Sequence, residues 1–94
     1  MSFALSGGAR TISASGGTGT VTANVWALAR IRWVSNAATQ GDECTVTDTA
    51  GNVIFDSEAQ GAQWSDEIEL GKMPPFLGIK ISVLTSGVVY FYLR

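Results

Sequence analysis

Histidine is absent from this 94-residue chain, and cysteine occurs once, at Cys44. The missing imidazole removes the usual general base near neutral pH and the commonest metal ligand. A single thiol excludes an intrachain disulfide, and without histidine it excludes the cage that zinc prefers. Charge is also scarce, at 15% of residues against about 25% in an average soluble domain. Proline is confined to Pro74-Pro75, a pair that belongs in a connection and not inside a central strand. No apolar run approaches the about 20 residues that span a bilayer as a helix. The first ten residues, MSFALSGGAR, lack the basic start and apolar stretch of a secretory signal. The expectations are therefore no catalytic residue, no metal, no cofactor, no membrane, and synthesis in the cytoplasm.

What remains is apolar: 46% of the chain is hydrophobic. Ninety-four residues make one domain. A domain of this size buries only roughly 60–65% of the surface its unfolded chain exposes. Without disulfide or metal to help, association is the remaining route to extra stability. So few charges over so much apolar sequence point the same way, toward surface covered by a neighbour. A homo-oligomer is expected.

The net charge is −2, which gives no general attraction to a phosphate backbone. The charges are segregated. All eight acids lie between Asp42 and Glu69, and all six basic residues lie outside that stretch. Folding the middle of the chain could gather the acids along one edge, but solvated strand faces and turns are the simpler reading. No nucleic-acid partner is expected. Arg30 and Arg32 share one strand face but make no basic stripe, and their simplest use is pairing with Glu67 or Glu69 across a sheet.

The residue pattern is that of strands. Residues 1–24 are rich in Gly, Ser and Thr, and read as an N-terminal arm with the first short strands around Ile12 and Val21. Gly16, Gly17 and Gly19 mark a turn between those two strands, which makes them a hairpin. Residues 25–94 form the core. Ala29, Ile31 and Trp33 alternate with Leu28, Arg30 and Arg32, a period of two. Cys44–Asp48 and Val53–Phe55 flank a turn at 49–52 whose Gly51 and Asn52 tolerate positive φ. Trp64, Asp66, Ile68 and Leu70 share one side of a further strand. Leu77, Ile79, Ile81 and Val83 face inward on the next. After the tight turn Ser86-Gly87 the last strand, Val88–Leu93, is apolar on both faces, so both are expected to be covered. The fold class is all-β: a single antiparallel β-sandwich of seven to nine short strands, jelly-roll or immunoglobulin-like.

Candidate chemistry is thin. Cys44 lies on an apolar strand face and reads as a small buried hydrophobe. Asp66 alternates with apolar residues and is the one carboxylate placed for partial burial; a strand-end hydrogen bond is its simplest role. Asp42, Glu43, Asp48, Asn52 and Asp56 supply hard oxygens near one hairpin, but not in the order of a known calcium loop. The aromatic residues carry more. Trp33 and Phe91 share their faces with aliphatic residues and belong to the core. Trp26, Trp64, Tyr90 and Tyr92, with Arg30 and Arg32, form the candidate protein-interface set, because aromatic and arginine side chains dominate such contacts. The same rings are suited to stacking on sugars.

The segments Ile31-Arg32-Trp33-Val34-Ser35, Ala50-Gly51-Asn52-Val53-Ile54-Phe55 and Ser86-Gly87-Val88-Val89-Tyr90-Phe91-Tyr92-Leu93 have a familiar cadence. It resembles a group of short proteins encoded near the virion genes of tailed bacteriophages, over residues 30–94. The matching pieces are turn and core residues, which specify a fold more than an activity. The resemblance implies a virion component: a capsid decoration (cement) protein, partnered by other virion proteins, the major capsid protein foremost, and for a shell protein a trimer is the first guess. The alternative is a tail, fibre or adhesion module that binds host-surface glycans.

Overall fold

The computed structural model describes the backbone of residues 2–6 and all of residues 11–71 and 73–94. Part of the N-terminal arm, with Arg10 and Lys72, lies outside the described residues. Nine strands are present among those described, and no helix: β1 Ser2–Ser6, β2 Thr11–Ser15, β3 Gly19–Trp26, β4 Leu28–Ser35, β5 Glu43–Thr47, β6 Val53–Glu58, β7 Trp64–Glu69, β8 Phe76–Leu84 and β9 Val88–Leu93. They form two antiparallel sheets, in the orders β1-β2-β9-β4-β7 and β3-β8-β5-β6.

The all-β sandwich read from residue alternation is the observed fold, and the strand order resolves its type. From β2 onward the chain changes sheet at every connection except the β5–β6 hairpin. That wrap is the eight-stranded jelly roll, with β1 added at one edge. The physical cause is the alternation itself. Each strand is greasy on one side only, and two sheets can cover each other's greasy sides. Ile31, Trp33, Val89 and Phe91 from one sheet and Cys44, Val46, Ile79 and Ile81 from the other are fully buried between them.

Four local expectations are corrected. Val83, expected inside, is half-buried, and Leu84 enters the core in its place, because a register shift between Thr45 and Val46 puts an extra residue in β8. The Gly/Ser/Thr-rich stretch at 11–24 is no hairpin: β2 and β3 belong to different sheets. Gly16 and Gly17, at φ 81° and 103°, carry the chain across, and Ile12, Ala14 and Val21 enter the core. Leu28, grouped by alternation with the arginines, is fully buried, because a register shift between Leu28 and Arg30 inverts the parity. Leu77, expected inside, is 63% exposed. Gly78 sits after it at φ 79°, a left-handed conformation that breaks the alternation, and Ile79 and Ile81 still point inward.

The two sheets are pinned at their ends by polar groups. The Trp33 indole N–H donates to the Ser86 carbonyl at 2.8 Å. Ser86 Oγ donates to Asp42 Oδ2 at 2.8 Å, which leaves Ser35 as the donor in its 2.9 Å contact with Ser86. Asp42 Oδ2 also accepts the Thr39 amide at 2.9 Å. This chain ties the β8–β9 turn to the β4–β5 loop. Gly87 closes the turn so tightly that an added Cβ would lie 2.4 Å from the Val34 carbonyl oxygen.

A candidate docking face on the five-stranded sheet

β9 lies between β2 and β4, the middle of the five-stranded sheet. Its inward residues are Val89 and Phe91, so Val88, Tyr90 and Tyr92 stand on the outer face and remain half-buried. Parity places Arg30, Arg32 and Val34 beside them on β4. Thr11, Ser13 and Ser15 flank them on β2, and Ser65, Glu67 and Glu69 on β7.

The registers align these residues into three rows across β2, β9, β4 and β7, four of the five strands; β1 extends the sheet beyond β2. The first is Thr11–Tyr92–Arg30–Glu69 and the second Ser13–Tyr90–Arg32–Glu67. The third is Ser15–Val88–Val34–Ser65. Directly opposed side chains on neighbouring strands are close enough to interact. Arg30 does so twice: its guanidinium carbon lies 4.2 Å from the Tyr92 ring centroid, and Nη1 lies 3.4 Å from Glu67 Oε2. The expected cross-sheet pairing of an arginine with Glu67 is thus present, on the diagonal between rows. Arg32 is exposed and makes no ion pair among the described residues. Around it, Arg30, Arg32, Ser65, Asp66 and Glu67 line an open depression of about 430 Å³.

Of the six residues singled out from sequence, four meet on this face: Arg30, Arg32, Tyr90 and Tyr92. Trp26 does not join them. It ends β3 in the other sheet, opposite Phe76, and packs against the core. Trp64 begins β7 on the inward side, also against the core, with its indole N–H 3.4 Å from Ser57 Oγ. The hydroxyl and valine members of the rows were not singled out. Their signal was the strand alternation, but choosing them needed the register.

Five of the eight acidic residues lie on one edge, and Asp42, Glu43 and Asp48 lie elsewhere. β6 and β7 end the two sheets on the same side, joined by the loop 59–63, and carry Asp56, Glu58, Asp66, Glu67 and Glu69. Charge on exposed edge strands opposes strand-to-strand aggregation. Asp66, half-buried as its alternation implied, accepts a 2.7 Å hydrogen bond from Ser57 Oγ of the opposite sheet and so clasps this edge shut. Cys44 lies behind the clasp, paired with Ser57. Burial pushes its thiol up to about 12, with help from the negative charges of Asp56 and Asp66. A thiol held protonated is a poor nucleophile.

No group of three or more metal-ligating side chains converges among the described residues. The candidate calcium ligands are instead engaged locally. Asp48 caps its own turn through the amides of Ala50 and Asn52 and the Asn52 side chain, which hold its carboxyl below the ordinary value. Asp56 accepts from Thr45, and Asp42 from Ser86.

Fold and face together define a class: a small jelly-roll domain presenting a polar–aromatic sheet face. Comparison with protein-family models, with curated proteins and with solved structures returns no match.

Proposed function

We propose that this protein is a non-enzymatic structural component of a tailed-phage virion, a decoration protein that sits on the capsid and bridges coat subunits. The observation that carries the reading is the Tyr/Arg array on the outer face of the five-stranded sheet. Tyrosine offers large contact area at low entropic cost, arginine offers a planar fork of donors, and both are enriched where proteins meet. A shell repeats each weak contact by symmetry, so a modest face suffices for stable attachment. The phage-like cadence of residues 30–94 supports the virion assignment, and the jelly-roll wrap is compatible with it. Fold alone does not choose the role, since jelly rolls occur in capsid and lectin domains alike.

The test is co-sedimentation of the purified protein with empty coat shells. Saturable pelleting is expected, weakened at least tenfold in a Tyr90→Ser/Arg32→Ser variant. The open depression lined by Arg30, Arg32, Asp66 and Glu67, with Tyr90 next to Arg32 in the neighbouring strand, favours one second reading, a glycan-binding adhesion module. Retention on a glycan array with no affinity for shells would replace the first reading by the second.

A further inference from the structure

The three rows have an order that a random polar face would lack. From β2 to β7 two of them run hydroxyl, tyrosine, arginine, glutamate, and the third runs serine, valine, valine, serine. Reading a row backwards and laying it over itself sets hydroxyl against glutamate and tyrosine against arginine. The third row is a palindrome and sets valine on valine and serine on serine. Every position meets a chemically suitable one: hydroxyls donate to carboxylates, guanidinium groups stack on phenol rings, and apolar groups meet apolar groups.

One symmetry operation performs that reversal. A two-fold axis lying against the face, parallel to the strands and above the seam between β9 and β4, keeps each row at its own level and inverts its order. β9 of one copy then covers β4 of the other, and β2 covers β7. We propose that the occupant of this face is a second copy of the chain, packed sheet on sheet about such a two-fold. The inference rests on the reading of this face as a contact surface and names its partner: the face joins two copies, the pair grips two coat subunits at once, and the Tyr90→Ser/Arg32→Ser variant loses shell affinity because that bivalence is lost. The dimer itself does not depend on the virion assignment. It also replaces the three-fold guess, because face-to-face packing of identical surfaces is isologous and closes at two.

The charge pattern supports self-association over a partner of one sign. The face carries two arginines and two glutamates and is neutral as a whole. Arg32, without an ion pair in the monomer, would lie over the second copy's Tyr90, the contact Arg30 already makes with Tyr92 within one chain. Four strands about 4.8 Å apart and three rows about 6.8 Å apart cover only about 400 Å² per copy. That is below the roughly 800 Å² per partner of a standard interface, so a dimer of micromolar or weaker affinity is expected.

Sedimentation equilibrium of the full chain from micromolar to millimolar concentration tests this. A monomer–dimer equilibrium is expected, with dissociation raised at least tenfold by Arg32→Glu. Cross-linking tests the register. Ser13 and Glu67 are three strands apart in one chain, about 14 Å, too far for a disulfide. In the proposed dimer they face each other twice. Packed sheets stand about 10 Å apart, also beyond disulfide reach, so a short bis-maleimide should join a Ser13→Cys chain to a Glu67→Cys chain in a mixture and should join neither to itself, with buried Cys44 uninvolved. Circular dichroism of each variant should match the parent. A parent that stays monomeric or forms trimers, a dimer indifferent to Arg32→Glu, or a dimer that does not cross-link would each overturn the proposal. Shell binding by a strictly monomeric protein would sink this inference and leave the proposed function standing.

Discussion

The two faces of the five-stranded sheet share one backbone and one set of registers, yet they are built on different principles. On the inner face the rows read Ile12–Phe91–Ile31–Ile68 and Ala14–Val89–Trp33–Asp66. Their central members are fully buried, and the one charge stands at the edge strand, where Ser57 of the opposite sheet meets it. On the outer face the rows are graded from hydroxyl to ring to cation to anion. Burial against the second sheet orders the first face. The second is ordered by lateral pairing, which contributes little to folding when exposed. A side chain's role in this sheet therefore follows from its parity. Inner and turn positions should govern stability, and outer positions should govern association.

The sharpest way to break that division is Gly87→Ala. It combines a positive φ of 84° with a Cβ 2.4 Å from a backbone oxygen. A loss of at least about 3 kcal/mol in urea unfolding is expected. Gly51→Ala, at φ 89° with nothing near its Cβ, should lose only about 1 kcal/mol. Equal losses would mean that close packing at Gly87 is unimportant. Next in size, Trp33→Phe keeps an inner ring but deletes the donor to Ser86, and should lose about 1–3 kcal/mol. Tyr90→Phe, the outer counterpart in the neighbouring row, should stay within about 0.5 kcal/mol. A reversed ranking would contradict the parity rule.

Titration separates the same two environments. Cys44 has its pKa raised in the folded state, to about 12, so its contribution is complete below the unfolded value near 9. It should drain away as pH rises through the interval between them. Cys44→Ala should flatten this alkaline decline, and a thiol reagent should label Cys44 at the rate of unfolding. The smallest effect belongs to Asp48, whose carboxyl is held low chiefly by the Asn52 side-chain amide. Its contribution is present above the ordinary carboxylate pKa and lost as pH falls through the lower folded value. Asp48→Ala should remove a shallow acid-side slope in thermal melts, and an unchanged slope would show that the turn does not depend on the cap.

Much of this was legible in the chain. The core residues Trp33, Phe91 and Cys44 announced themselves by alternation, as did the hairpin at 49–52 and the turn at Ser86-Gly87. Alternation failed at Leu28, where an extra residue in β4 inverts the parity, and at Leu77, where the positive φ of Gly78 breaks it. It also failed at 16–19, where a glycine turn looks the same whether the chain folds back within a sheet or crosses to the other. For the docking face, Arg30, Arg32, Tyr90 and Tyr92 could be chosen by residue type. Trp26 and Trp64 were chosen by the same criterion, and parity with packing turned them toward the core.

Local chemistry was enough to settle that this chain makes short strands, that one side of each is greasy, and that no imidazole or second thiol is available for catalysis or a zinc cage. Those are consequences of residue type and a period of two, which act over a few neighbours. Strand order, the clasp at Asp66, and the alignment of Ser13, Tyr90, Arg32 and Glu67 into one row were decided by the folded state alone. Residues 13, 90, 32 and 67 meet only because two sheets had to bury their apolar sides against each other, and that requirement links parts of the chain that carry no local trace of one another.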